Sequence, residues 1–146
     1  EQAYEGQAAM ELEALADAPK SLPGGFRIDG GILDFRDLLI HMAENRLAGC
    51  DAANLFHGAL IAGLSAWAAA LAEASGIDRI ALGGGCMMNR VLAGGLAQAL
   101  RAQGLKPVLP SKVPANDGGI ALGQAAYARQ IIRYNAAEVE ENLICV

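Results

Sequence analysis

Arg79-Ile80-Ala81-Leu82-Gly83-Gly84-Gly85-Cys86-Met87-Met88-Asn89-Arg90 runs from a short apolar stretch straight into three glycines. The stretch 79–82 reads as a short buried strand. A helix follows from about Met88 to Gln103, with Leu92, Leu96 and Leu100 on one face and Gly104 as its stop. Lys106-Pro107-Val108-Leu109 reads as a second short strand. A loop carrying Pro110 and Pro114 leads to Asn116-Asp117-Gly118-Gly119, where a last helix starts and runs to about Arg133. Strand, helix, strand, helix in that order implies parallel strands and an α/β layer, because a helical crossover returns the chain in the same direction.

Upstream, helical spacing of Ala8, Leu12, Leu15 and Ala16 predicts a helix over 3–18, ended by Pro19. Pro23-Gly24-Gly25 is a turn, Phe26–Asp29 a short strand, and Gly30-Gly31 a bend. Asp34 or Asp37 can cap a helix to about Leu47. Asp51 is placed to cap the longest helix, about 52–75, which carries Phe56, Leu60, Leu64, Trp67 and Leu71 as one stripe and closes at Gly76. The chain therefore divides into an α/β lobe, 1–133, and a tail, 134–146, that is acidic at Glu138, Glu140 and Glu141.

A length of 146 residues fits one domain or one lobe of a larger one, and 53% hydrophobic residues supply a core. The net charge of −5 argues against nucleic acid as a partner, since that needs clustered Lys and Arg. No stretch approaches the roughly 20 uninterrupted apolar residues of a membrane span, so no membrane partner is expected. The first residues, Glu1 to Glu5, lack the basic and apolar regions of a signal peptide, and no initiator Met is present, as expected for a piece of a longer protein. Cys50, Cys86 and Cys145 are odd in number and widely spaced, so a disulfide scaffold is not expected and a reducing cytoplasm is.

Three glycines exceed what a strand-to-helix turn needs. Bare backbone lets a ligand come into contact, and the N-terminus of the following helix suits phosphate. The spacing is neither the dinucleotide fingerprint nor the P-loop. Asn116-Asp117-Gly118-Gly119 alone reads as helix capping. A right-handed crossover, however, puts both loops at the carboxyl edge of adjacent strands, where Asp117 and the glycines would share one crevice. A phosphate turn beside a carboxylate is what a metal–nucleotide site needs, because the carboxylate holds the hard cation. The remaining candidates are weaker. His41 and His57 read as core or surface-lying histidines, Cys86 as a spectator thiol, and Glu5, Glu11 and Glu13 as a solvated face of the first helix. No catalytic residue can be assigned.

Three segments together resemble the hydrogenase maturation carbamoyltransferases known as HypF. They are Tyr4-Glu5-Gly6-Gln7-Ala8-Ala9-Met10-Glu11-Leu12-Glu13, the Gly-Gly-x-x-x-Asn-Arg-x-Leu motif within Gly83–Leu92, and Val113–Ala125 with Asn116-Asp117-Gly118-Gly119 at its centre. Only the chain after about Gln130 has no counterpart. The resemblance implies the second lobe of an actin-like ATPase (ASKHA) domain, akin to the tRNA threonylcarbamoyl transferases, with a short mixed or parallel sheet packed by helices. It implies ATP and carbamoyl-adenylate as the nucleotides and a divalent metal of unassigned identity. It also implies transfer of a carbamoyl group to the C-terminal cysteine of the acceptor HypE, for the cyanide ligand of NiFe hydrogenase.

By the same resemblance Glu5 meets the ribose, Gly83, Gly84 and Gly85 line the phosphates, Asn89 helps hold the nucleotide, Asp117 is the metal ligand, and Gly118 and Gly119 lie at the phosphates. The family's His-x-x-x-His metal pair belongs to the other lobe and is absent from this sequence, as are the remaining HypF domains, so the piece alone is expected to be inactive. Two alternatives stay open: a tRNA threonylcarbamoyl transferase relative, and a non-catalytic nucleotide-binding or scaffold lobe.

Overall fold

A computed structural model describes residues 2–47 and 49–143, with side chains described up to 134. Cys145 and the end of the tail lie outside the described residues. The elements are α1 (Gln7–Ala14), β1 (Arg27–Asp29), β2 (Ile32–Asp34), α2 (Arg36–Glu44), α3 (Gly49–Ser75), β3 (Arg79–Ala81), α4 (Arg90–Ala102), β4 (Lys106–Val108) and α5 (Ile120–Leu143). Short 3-10 turns, Gly85–Met88 and Asp117–Gly119, precede α4 and α5.

β3 and β4 pair in parallel, with Ile80 opposite Pro107. Lys106 N donates to Asp78 O and Leu82 N to Val108 O, so residues 106 and 108 face β3. Pro107 therefore turns its missing N–H to the outer edge, the one place where a strand tolerates proline. Asp78 and Lys106 also form an ion pair at the start of the two strands. The other sheet is an antiparallel hairpin of β1 and β2. β2 is an addition to the sequence reading, which put only a bend after residue 29. Gly30 and Gly31 adopt φ of +55° and +81°, the left-handed pair that a tight hairpin turn requires.

α3 runs through the middle of the lobe and separates two apolar clusters. Leu82, Leu96, Ala97 and Leu100 form one, between α4 and the parallel strands. Leu38, Leu55 and Ala59 form the other, between α2 and α3. The helix is buried chiefly through small residues, not through the stripe of large ones read from the sequence. Ala52, Ala53, Gly58, Ala59, Gly63 and Ser65 are buried, whereas Leu71 is 46% exposed. Small side chains let neighbours come close on several sides. Gly58 lies under the Lys20 backbone and Gly63 under the rings of Phe26 and Phe35. By length and composition alone α3 meets the measure of a membrane span, as a core helix also can, and Leu55, Phe56, Ala59, Leu64 and Ala68 pack into the two clusters.

The other differences are local. α1 is shorter than 3–18, because Gly6 at φ +83° breaks the helix before Gln7 and none of its residues is buried. Asp51 lies in the first turn of α3 and not before it. Asp34, at the end of β2, accepts a hydrogen bond from Arg36 N at 2.9 Å and so tethers the start of α2. α5 continues past Arg133 to Leu143, since no glycine or proline interrupts 134–143.

Candidate nucleotide-facing site

The glycine turn leaves the carboxyl end of β3 with Gly84 at φ +93°, a conformation that only glycine adopts without strain. Gly84 N donates to Ala115 O at 2.8 Å. That bond fastens the turn to the loop after β4, so the two glycine-bearing segments sit side by side, as the crossover argument requires. Gly83 and Gly85 have no atom within 4 Å of where a β-carbon would be, and neither has a positive φ. Nothing in the lobe itself demands glycine at either position. The backbone there is left bare toward open space, which suits a ligand that must reach the N–H groups.

The second loop is built differently. Asn116 Oδ1 accepts from Gly118 N at 3.1 Å, and Gly119 N donates to Asn116 O at 3.0 Å. A β-carbon on Gly119 would lie 2.8 Å from Pro114 O, and one on Gly118 would lie 3.0 Å from Pro114 Cγ. Glycine at 119 is thus required by the loop's own packing, and position 118 is tight against the Pro114 ring. Asp117 begins the 3-10 turn and is exposed. No group of three or more His, Cys, Asp or Glu side chains capable of holding a cation occurs among the described residues. Asp117 can offer one hard oxygen ligand, and a cation there needs the rest from elsewhere.

Asn89 ends the 3-10 turn and caps α4, its Oδ1 accepting from Leu92 N at 2.8 Å. Its amide nitrogen faces His57 Nε2 at 2.8 Å, and His57 Nδ1 lies 2.8 Å from Ala53 O. Glu13, read from sequence as part of a solvated face, instead reaches Arg90. Its Oε1 accepts from Arg90 N at 2.9 Å, with the guanidinium Nε at 3.6 Å. Two leading N–H groups of α4, those of Arg90 and Leu92, are therefore taken by side chains. Fewer backbone donors are thus open at this helix end than at the bare glycine turn. Glu5 lies exposed in the turn before α1, Cys86 is an exposed free thiol, and His41 is half-buried on α2.

Comparison with known proteins places this arrangement. A family model for the second subdomain of the carbamoyltransferase Kae1-like domain matches residues 1–124. The chain belongs to the HypF carbamoyltransferase family. It is 63% identical over 145 residues to the carbamoyltransferase HypF of Rhizobium leguminosarum bv. viciae, covering 99% of this chain and 19% of that protein. A carbamoyltransferase HypF homolog of Cupriavidus necator is 43% identical over 136 residues, covering 85% of this chain and 34% of its own length. The crystal structure of full-length HypF in the phosphate- and nucleotide-bound form superposes with a TM-score of 0.79. It is 30% identical and covers 90% of this chain and 18% of that one. HypF of T. kodakarensis, at 23% identity and a TM-score of 0.69, shares the fold. The chain thus spans about a fifth of the length of the Rhizobium HypF and of the full-length HypF of the nucleotide-bound structure.

Proposed function

We propose that this lobe supplies one wall of a nucleotide and divalent-cation site in a HypF carbamoyltransferase. The observation that carries the reading is the Gly84 N to Ala115 O bond, which joins the bare glycine turn to the Asp117 loop at the carboxyl ends of parallel strands. The phosphate- and nucleotide-bound state of the HypF neighbour supports it. In this reading Gly83 and Gly85 present N–H groups to phosphate oxygens, and Gly118 and Gly119 shape the adjoining loop. Asn89 orients the nucleotide, Glu5 meets the ribose, and Asp117 holds the cation. The cation, when bound, neutralises phosphate charge.

The reaction we assign to the full-length protein is carbamoyl transfer from carbamoyl-adenylate to the C-terminal cysteine of HypE. The acceptor thiolate bonds to the carbamoyl carbon as the bond to the AMP phosphate oxygen breaks. Negative charge grows on that oxygen, and N–H donors fixed in the glycine turn stabilise it without reorganising. Family membership favours this chemistry over tRNA modification.

The test uses a full-length HypF carrying this lobe. A substitution that merely disorients a metal ligand costs about 10–100-fold, so losing the ligand in Asp117→Ala should cost at least about a hundredfold in carbamoyl transfer. Cys86→Ala should stay within about threefold, because removing an exposed thiol disturbs little packing. A dead Cys86→Ala beside an active Asp117→Ala would identify the thiol as a nucleophile and reject the cation site.

A further inference from the structure

We propose that His57 is a positioning residue for the nucleotide-facing turn, acting through Asn89; the inference rests on the nucleotide reading above. His57 is 1% exposed and sits in the N-terminal third of α3, remote in sequence from every site motif. Burying an imidazole is costly unless both ring nitrogens are hydrogen-bonded, and here both are. An apolar side chain of similar size would fill the same space without that requirement, so the polar group has work to do.

The hydrogen-bond directions are fixed by a chain of necessity. Leu92 N is a donor, so the atom of Asn89 that faces it is the oxygen. The amide nitrogen then faces His57 Nε2 and donates to it, which makes Nε2 the unprotonated nitrogen. Nδ1 carries the proton and donates to Ala53 O. His57 is therefore held as a single neutral tautomer, and it fixes the amide plane of Asn89. Serine or aspartate would cap α4 as well as asparagine does. Only asparagine adds an amide with two hydrogens, one engaged by His57 and the other left over. Asn89 follows directly on the 3-10 turn Gly85–Met88, whose Cys86 O accepts Asn89 N at 3.2 Å. Fixing the amide thus fixes the end of the glycine turn as well as the free hydrogen offered to the nucleotide.

The experiment is equilibrium binding of ATP by full-length HypF carrying this lobe, with the melting temperature of each variant recorded. His57→Gln places an acceptor oxygen near the position of Nε2, whereas His57→Met fills the space with no nitrogen or oxygen acceptor. Positioning partners of this kind cost about 10–100-fold when lost, so Met should weaken ATP binding by ~10-fold or more, and Gln should restore it to within ~3-fold of wild type. Should Met fail to fold, His57→Asn keeps a donor for Ala53 O but withdraws from Asn89, and it should match the loss set for Met.

Equal ATP affinity in the Gln variant and the no-acceptor variant overturns the inference, even if both melt early, because a purely structural histidine would behave that way. Gly85→Val separates this from failure of the nucleotide reading. If Val abolishes ATP binding while the no-acceptor variant binds normally, only the role of His57 falls. If Val also binds normally, the nucleotide reading falls and takes this inference with it.

Discussion

Asp34 shows how much one side chain organises when its partners arrive from two elements. Its Oδ2 accepts from Arg36 Nε at 2.8 Å and Nη2 at 2.6 Å, its Oδ1 from Arg36 N, and Arg27 Nη2 stands 3.7 Å away. The Arg36 side-chain hydrogen bonds, followed by the Arg36 backbone bond, hold its pKa down to about 2 from an ordinary 3.8. An unfolded chain binds the proton more readily than the folded one between those values. The stabilisation is therefore complete above pH 3.8 and is lost as pH falls toward 2. Following the Asp34 carboxyl carbon by NMR should give a midpoint near 2, and Arg36→Ala should move it up toward 3.8. An unmoved midpoint would show that Arg36 is not the cause. A capping role for Asp34 was legible in the sequence, because a short-range Asx contact depends on residues two apart. The His57–Asn89 and Glu13–Arg90 contacts were not, because they join residues 32 and 77 positions apart that only the packing of α3 and α1 on α4 brings together.

Among the elements, α3 and α4 carry the clearest energetic contrast, in two glycines that look alike in sequence. Each sits inside a helix, where replacing glycine by alanine gains about 1 kcal/mol of helix propensity. At Gly58 a β-carbon would lie 2.3 Å from the carbonyl carbon and oxygen of Lys20, and Lys20 N is tied to Asn54 O at 3.1 Å. Backbone must move, and overpacking of that kind costs about 1–3 kcal/mol. At Gly95, on α4, the obstacle is Ile61 Cδ1, the free end of a side chain that can change rotamer. Gly58→Ala should therefore lower stability, and Gly95→Ala should leave it nearly unchanged or raise it, as read by urea denaturation. The reverse order would contradict the close approach of the 18–22 segment to α3. The parallel pair and the long helix were readable because apolar runs, caps and crossover geometry are local or topological signals. β2 was missed because three residues beside two glycines carry too little pattern, and the small-residue burial of α3 because alanine and glycine do not mark a face as leucine does.

For the molecule as a whole, the structure has the character of one wall without its counterpart. From Ile120 to Tyr134 every residue of α5 is exposed, Tyr127 at 70% and Ile132 at 68%. Among the described residues Asp117 belongs to no group of three or more side chains that could hold a metal ion. Divalent cations such as Mg²⁺ and Ca²⁺ take six or more oxygen ligands, so one carboxylate cannot hold such an ion firmly. The family motifs were legible because each lies in one continuous stretch of chain, but no cluster of ligands that would complete a cation site occurs among the described residues. The 146-residue chain alone should therefore fail to transfer a carbamoyl group from labelled carbamoyl phosphate and ATP to the HypE cysteine. A full-length HypF carrying the same lobe should succeed under identical conditions. Proximity and orientation of groups on both walls supply much of such a rate, and a single wall cannot hold the acceptor thiolate and the adenylate in line. Robust labelling by the isolated chain would mean that its own loops complete the site, and the division of labour argued from Asp117 would be wrong.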